Sequence, residues 1–233
     1  MTPNLRALCA VVALGGAAPT LPAQDAPRPA VNVEEPAGLV RALGRAQTVF
    51  RWRHRYFSLD PADRDAFDLV YALEGPGADN AVLWFDDGDQ MVVLSRTGQG
   101  RIRPPDADTL SRRNPVIWAA PADRPLDVRV GFAPKLPPER TLDVDPLKRA
   151  LAQAERALRS KFGLIGHALP PPRRVRAIFE GPAPQAWALG PDNQKVALPA
   201  RFDTVDYEPL AIDFRTAQRL TFDRAPLRLE LLP

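Results

Sequence analysis

The chain has 233 residues, a formal net charge of +3, 45% hydrophobic residues, 27 prolines and a single cysteine. The apolar share is enough for a core, while so small a net charge argues against a nucleic-acid binder. Cys9 is that only cysteine, which excludes an intramolecular disulfide and leaves the rest of the chain without a thiol nucleophile, an iron–sulfur cluster or a cysteine zinc site.

Residues 1–23 read as a secretory signal peptide. Arg6 supplies positive charge, Ala7–Ala18 form an uncharged apolar run, and Leu21-Pro22-Ala23 offers a small residue, so cleavage is expected after Ala23. The run is too short to span a membrane, and no later segment reaches the roughly 20 apolar residues that a spanning helix needs. The expected location is therefore periplasmic or secreted. Residues 24–36 form a proline-rich linker.

A first unit is expected over residues 37–135. Leu39, Leu43, Ala46 and Phe50 fall on one helical face, so Leu39–Phe57 is read as a helix for at least its first half. Trp52, His54 and Tyr56 then alternate with arginines, a pattern that suits a strand as well as a helix's last turns. This segment carries Arg41, Arg45, Arg51, Arg53 and Arg55 and no acid. Phe67, Leu69, Tyr71 and Leu73 alternate as in a strand, which Glu74-Gly75-Pro76 ends. Ala81–Phe85 and Gln90–Leu94 flank Asp86-Asp87-Gly88-Asp89, a strong hairpin signal. Arg101–Arg103, Pro115–Ala120 and Leu126–Phe132 complete the strands of this unit.

The clearest helix follows, over Asp145–Gly163. Asp145 is read as its cap and Pro146 as its first residue. Leu147, Ala150, Leu151, Ala154, Ala157, Leu158 and Phe162 form one apolar stripe, and Gly163 is the stop. The second unit, over residues 143–233, then repeats the order of the first. Arg174–Phe179, Ala186–Leu189 and Lys195–Leu198 are strands, and Glu180-Gly181-Pro182 matches Glu74-Gly75-Pro76. Pro209–Ile212 resembles Pro115–Trp118, and Asp223–Leu227, running into a final strand, resembles Asp123–Leu126. Arg149-Ala150-Leu151 answers to Arg41-Ala42-Leu43. Ordered matches at near-constant spacing point to an internal duplication. The expected fold class is α+β: two similar units, each one helix packed on a mainly antiparallel sheet of about four or five strands.

Chemistry is sparse. His54 and His167 are each alone, without metal-ligand spacing, so neither a metal site nor a cofactor is expected. Asp86, Asp87 and Asp89 are compressed into a turn and lack a calcium loop's spacing. No phosphate loop or nucleophile elbow occurs. Glu74 and Glu180 are the carboxylates that the repeat singles out, which keeps a hydrolase with a carboxylate site between the units as an alternative. No residue is assigned as catalytic. The most unusual composition is Arg51-Trp52-Arg53-His54-Arg55-Tyr56. Arginine interleaved with aromatics can grip an anionic polymer or a lipid headgroup, so Arg51, Trp52, Arg53, Arg55 and Tyr56 are the candidate ligand-binding residues.

The signal peptide, the KRALAQAERAL helix and the segments GRIRPP and KVALPA together give the chain its family likeness. It resembles uncharacterised secreted proteins of gamma-proteobacteria that have a signal peptide and two related halves. The resemblance covers most of the mature chain and implies a periplasmic two-repeat protein, with no activity and no functional residue to carry over. The reading is a non-catalytic binding or envelope-accessory protein, whose partner is an envelope protein or an anionic envelope component.

Overall fold

The computed structural model describes residues 39–97 and 99–233. The segments read from sequence as a signal peptide (residues 1–23) and a proline-rich linker (residues 24–36) lie outside the described residues. The first half runs β1 (Arg41–Arg45), α1 (Ala46–Val49), α2 (Arg53–Phe57), β2 (Phe67–Glu74), β3 (Val82–Asp86), β4 (Met91–Val93), β5 (Val116–Ala120) and β6 (Asp127–Pro134). The second runs β7 (Thr141–Asp143), α3 (Val144–Lys161), α4 (Gly163–Ala168), β8 (Arg174–Ile178), β9 (Ala186–Leu189), β10 (Lys195–Ala197), β11 (Ala200–Arg201), β12 (Thr204–Tyr207), β13 (Arg219–Phe222) and β14 (Arg228–Leu232). The fold is α+β, and the pairings within its sheets are antiparallel.

Three sheets form, because each half divides its strands between two of them. One small sheet has the order β1-β5-β3-β4 and another the order β10-β9-β13-β7. The third has six strands in the order β11-β12-β8-β14-β6-β2, so it draws on both halves. The join falls between β6 and β14, whose register is Leu231↔Phe132. One mainly antiparallel sheet per unit is the expectation from sequence, which leaves open whether the two join; each half instead has strands in two sheets, and the central sheet draws on both halves.

Strand periodicity carries over well into this architecture. Phe67 and Tyr71 are fully buried on β2, and the acidic hairpin closes as its turn residues predict. The backbone N–H of Gly88 donates to Asp86 Oδ1 (2.8 Å), and those of Asp89 and Gln90 donate to Asp87 Oδ1 (both 3.0 Å). These carboxylates organise the turn.

Helix α3 follows its apolar stripe. Leu147, Ala150, Leu151, Ala154, Ala157, Leu158 and Phe162 are buried in one cluster with Phe132, Val175 and Leu231 of the central sheet and Leu220 of the small one. Its start differs from expectation. Asp143, not Asp145, holds the N-cap position and makes no side-chain cap bond. The N–H of Val144 donates instead to the Gln218 carbonyl (2.9 Å). Asp145 sits in the first turn, where its charge favours the helix dipole. The one buried polar residue on the stripe side, Gln153, ties the helix to the loop before β2. Its Oε1 accepts from the Ala66 N–H (2.9 Å), and its Nε2 donates to the Ala62 carbonyl (2.9 Å) and Asp65 Oδ1 (2.6 Å).

Two further expectations are corrected. Leu39–Phe57 is not one helix. Arg41–Arg45 pairs with β5, with a register shift between Ala42 and Gly44, and Gly44 has φ +134, a conformation that a helix excludes. Trp52, at φ 71, separates α1 from α2. Pro209–Ile212 is not the counterpart of Pro115–Trp118. It forms a turn leading to a short 3-10 helix at Ile212–Phe214, and the strand that lies beside β9, as β5 lies beside β3, is β13.

Close packing at the end of α3 requires a residue that no pattern flagged. A Cβ on Gly166 in α4 would collide with the Leu158 carbonyl and with Phe162, so the turn onto α4 depends on glycine there. Replacing Leu151, on the same buried stripe, by Asp buries an unpaired charge in the core under α3. It is expected to lower stability by about 3–5 kcal/mol, to be measured by urea unfolding; an unchanged midpoint would mean that α3 is only a spacer.

Candidate functional site

The central sheet places charged residues between its core residues. On β14, Arg228 and Glu230 alternate with the buried Leu229 and Leu231. On β6, Arg129 lies between Val128 and Val130, and on β8 and β12, Arg176 faces Asp206. The alternation that sends the leucines into the core sends these groups the other way.

Arg101, Arg129 and Arg228 converge on Glu230. Arg129 Nη2 donates to Glu230 Oε2 at 2.6 Å and Arg228 Nε to Glu230 Oε1 at 3.1 Å. Arg129 Nε also meets Glu74 Oε1 at 2.9 Å. Glu230 is 7% exposed, and a carboxylate so placed must be paired to remain charged. Arg101 Nη2 donates to the Leu229 carbonyl (2.8 Å), and Arg228 Nη1 donates to the Gln99 carbonyl (3.2 Å). Burial pushes the Arg101 pKa down, while Glu230 acts in the other direction; an arginine keeps its charge through such a shift.

These groups line a cleft of about 350 Å³. Arg51 adds a fourth guanidinium, set over the Trp52 ring at 5.4 Å, and Trp52, Phe132, Leu158 and Pro170 are among its apolar wall residues. The lining holds four guanidinium groups and one side-chain carboxylate, Glu230, while Glu74 pairs with Arg129 from outside it, so cations remain in excess and the local field is positive. In a partly desolvated cleft that field is screened less than it would be in open water.

Of the five residues singled out from sequence, Arg51 and Trp52 belong to this cleft. Arg53 turns elsewhere, with its guanidinium over the Phe57 ring at 4.9 Å. Arg55 is exposed but structural: its Nη1 donates to the Phe162 carbonyl at the end of α3 (2.6 Å). Tyr56 is buried, its hydroxyl 2.8 Å from the Phe67 carbonyl and 3.0 Å from Asp68 Oδ1. Burial and Asp68 push its pKa up, as expected of a packed phenol. The five side chains therefore do not form one surface, and Arg101, Arg129, Arg228 and Glu230 were missed. For Arg129, Arg228 and Glu230 a signal was present: a charge among the apolar residues of a strand, as in VRV and RLELL.

Glu74 and Glu180 line neither this cleft nor the cavities of about 390 and 330 Å³ elsewhere among the described residues. Glu74 is ion-paired with Arg129, and Glu180 stands exposed beyond the end of β8. Among the described residues, no group of three or more His, Asp or Glu side chains is placed to hold a metal, and no helix is long and apolar enough to cross a membrane. No family model, curated protein or solved structure matches the chain.

Near the cleft the same sheet carries a two-pronged ion pair. Arg176 donates through Nε to Asp206 Oδ1 (2.7 Å) and through Nη2 to Oδ2 (2.8 Å), and these bonds hold the Asp206 carboxyl below its ordinary value. The stabilisation is complete above the unfolded-state pKa of about 3.9 and is lost as pH falls through the lower folded-state value. Asp206→Asn is expected to flatten stability against pH in that acid window and to leave the slope near neutrality unchanged, as read from urea midpoints between pH 2 and 7; an unaltered acid slope would exclude Asp206 as its source.

Proposed function

We propose that this is a non-catalytic binding protein of the cell envelope, which takes a phosphate or other anionic group of an envelope component in the arginine cleft. The observation that carries this reading is the gathering of Arg51, Arg101, Arg129 and Arg228 in one cleft of about 350 Å³ that also holds the buried Glu230. Arg101, Arg129 and Arg228 are each anchored by a hydrogen bond to a backbone carbonyl or to Glu230. Their positions are thus set before a ligand arrives, which lowers the ordering cost of binding. Planar guanidinium groups suit the paired oxygens of phosphate and carboxylate. The periplasmic setting rests on the signal-peptide pattern of residues 1–23.

The same reading treats the two halves as copies of one unit. What supports this is strand order. With β11 and β12 set aside as an insertion, each half sends its first, fifth, third and fourth strands, in that order, to its small sheet. Each sends its second and sixth strands, paired to one another, to the central sheet. On this reading the cleft lies where the two copies share a sheet, and its four arginines and the glutamate come from both copies.

A charge-assisted hydrogen bond is worth roughly 1.5–3 kcal/mol, so loss of one guanidinium is expected to weaken binding about tenfold or more. The test is calorimetric titration with glycerol phosphate, together with salt elution from heparin. Arg51→Gln and Arg228→Gln are expected to bind glycerol phosphate at least about tenfold more weakly and to elute at lower salt, while Arg55→Gln keeps the wild-type affinity. Folded variants with wild-type affinity and elution would overturn the reading.

A further inference from the structure

Trp52 also lines a second cavity, of about 390 Å³, beside α2. Its chemistry is different. Phe50, Phe57, Ala107 and Leu110 supply an apolar wall. Two of its polar residues are committed within the protein: Gln47 Nε2 donates to the Leu110 carbonyl (2.9 Å), and Ser111 Oγ donates to the Asp108 carbonyl (3.3 Å). His54 is exposed at the rim. The remaining polar group is the Arg53 guanidinium, half-buried and stacked on Phe57.

Arg53 is poorly compensated where it stands. Its Nε is shut off from water and has no hydrogen-bond partner among the described residues. Burial pushes its pKa down, against the fields of Tyr71 and Asp106. Asp106 itself accepts a bond from the Thr109 N–H (2.7 Å). The Nε is as closed to a ligand as to water; what the half-buried guanidinium offers an anion is its Nη edge, a cationic donor set in an otherwise apolar wall. Phe57, an aromatic side chain left 50% exposed at this cavity, is the kind of surface that an apolar ligand covers favourably.

We infer that this cavity binds a small amphiphile with a carboxylate head and an apolar tail, of the class of medium-chain fatty acids. The carboxylate pairs with Arg53, and the tail lies along Phe50, Trp52, Phe57 and Leu110. The volume is within the range of small-molecule sites, and a largely apolar lining with one well-placed charge is their usual composition. A polyanion is disfavoured here, because one guanidinium in an apolar wall cannot neutralise several charges. The site is thus distinct in chemistry from the arginine cleft, although Trp52 serves both.

The test is calorimetric titration of the full chain with octanoate, octanol and octylamine below their aggregation limits. Octanoate is expected to bind at least about tenfold more tightly than octanol, the worth of one charge-assisted bond, and octylamine is expected not to bind. Arg53→Met should bring octanoate down to the level of octanol, and Leu110→Trp, which fills the cavity, should abolish both. Equal binding of octanoate and octanol by the wild type, no octanoate binding, or a folded Arg53→Met protein with unchanged preference would each overturn the inference. Should either variant fail to fold, the wild-type comparison of the three ligands decides alone. Glycerol phosphate affinity is measured in parallel, and because Arg53 is not part of the arginine cleft it should survive Arg53→Met, so failure at one site is distinguishable from failure at the other.

Discussion

The pairing of β14 with β6 is the constraint on which the rest of the structure depends. Each half has its own small sheet, but the central sheet exists only because β14 lies between β8 and β6. Leu231 and Phe132, opposite one another at that join, also belong to the apolar cluster that receives α3. Backbone pairing and side-chain burial therefore coincide at one place. Without the join, β2 and β6 would remain a two-stranded ribbon, which is marginal in water.

The same join explains why the arginines gather where they do. Arg129 comes from β6, Arg228 and Glu230 from β14, Arg101 from the loop after β4 and Arg51 from the break between α1 and α2. Glu230 holds two of them through separate oxygens, and Arg101 completes the bonding of the Leu229 carbonyl. The charged groups that line the cleft are thus also parts of the scaffold. Trp52 illustrates the local cost: a left-handed backbone for a bulky residue is unfavourable by about 1–2 kcal/mol. Its edge-on packing against Phe162 (5.3 Å) holds it there.

Much of the fold was legible because it rests on local periodicity. The alternation from Phe67 to Leu73, the Asp-Gly turn and the α3 stripe each encode their own geometry. Leu39–Phe50 reads as a helix because four apolar residues fall at helical spacing, but the bulge in β1 uses a Gly44 conformation that a helix excludes. The 3-residue β7 and the 2-residue β11 are too short for any periodic signal, and they exist through pairing with partners elsewhere in the chain. The cleft was half legible. Arg51 and Trp52 stood out by composition, but Arg101, Arg129 and Arg228 are scattered, and only the tertiary fold brings them to one carboxylate. Arg55 and Tyr56 read as ligand groups by residue type; in the fold the Arg55 guanidinium bonds the Phe162 carbonyl and the Tyr56 hydroxyl bonds the Phe67 carbonyl, contacts that depend on where those two residues fall.

The position of β14 in the chain has a kinetic consequence. Phe132 and Leu231 are 99 residues apart in sequence, and β14 follows every other strand. Hairpins such as β3–β4 can close within microseconds, but the central sheet waits for a contact of long sequence separation, which is slow to find. Until it forms, the β6 edge is an unpaired strand flanked by apolar residues, open to the wrong partner. Completing the central sheet thus requires five residues near the end of the described chain, Arg228–Leu232, to dock between β8 and β6, the strand pairing of longest sequence separation in the fold.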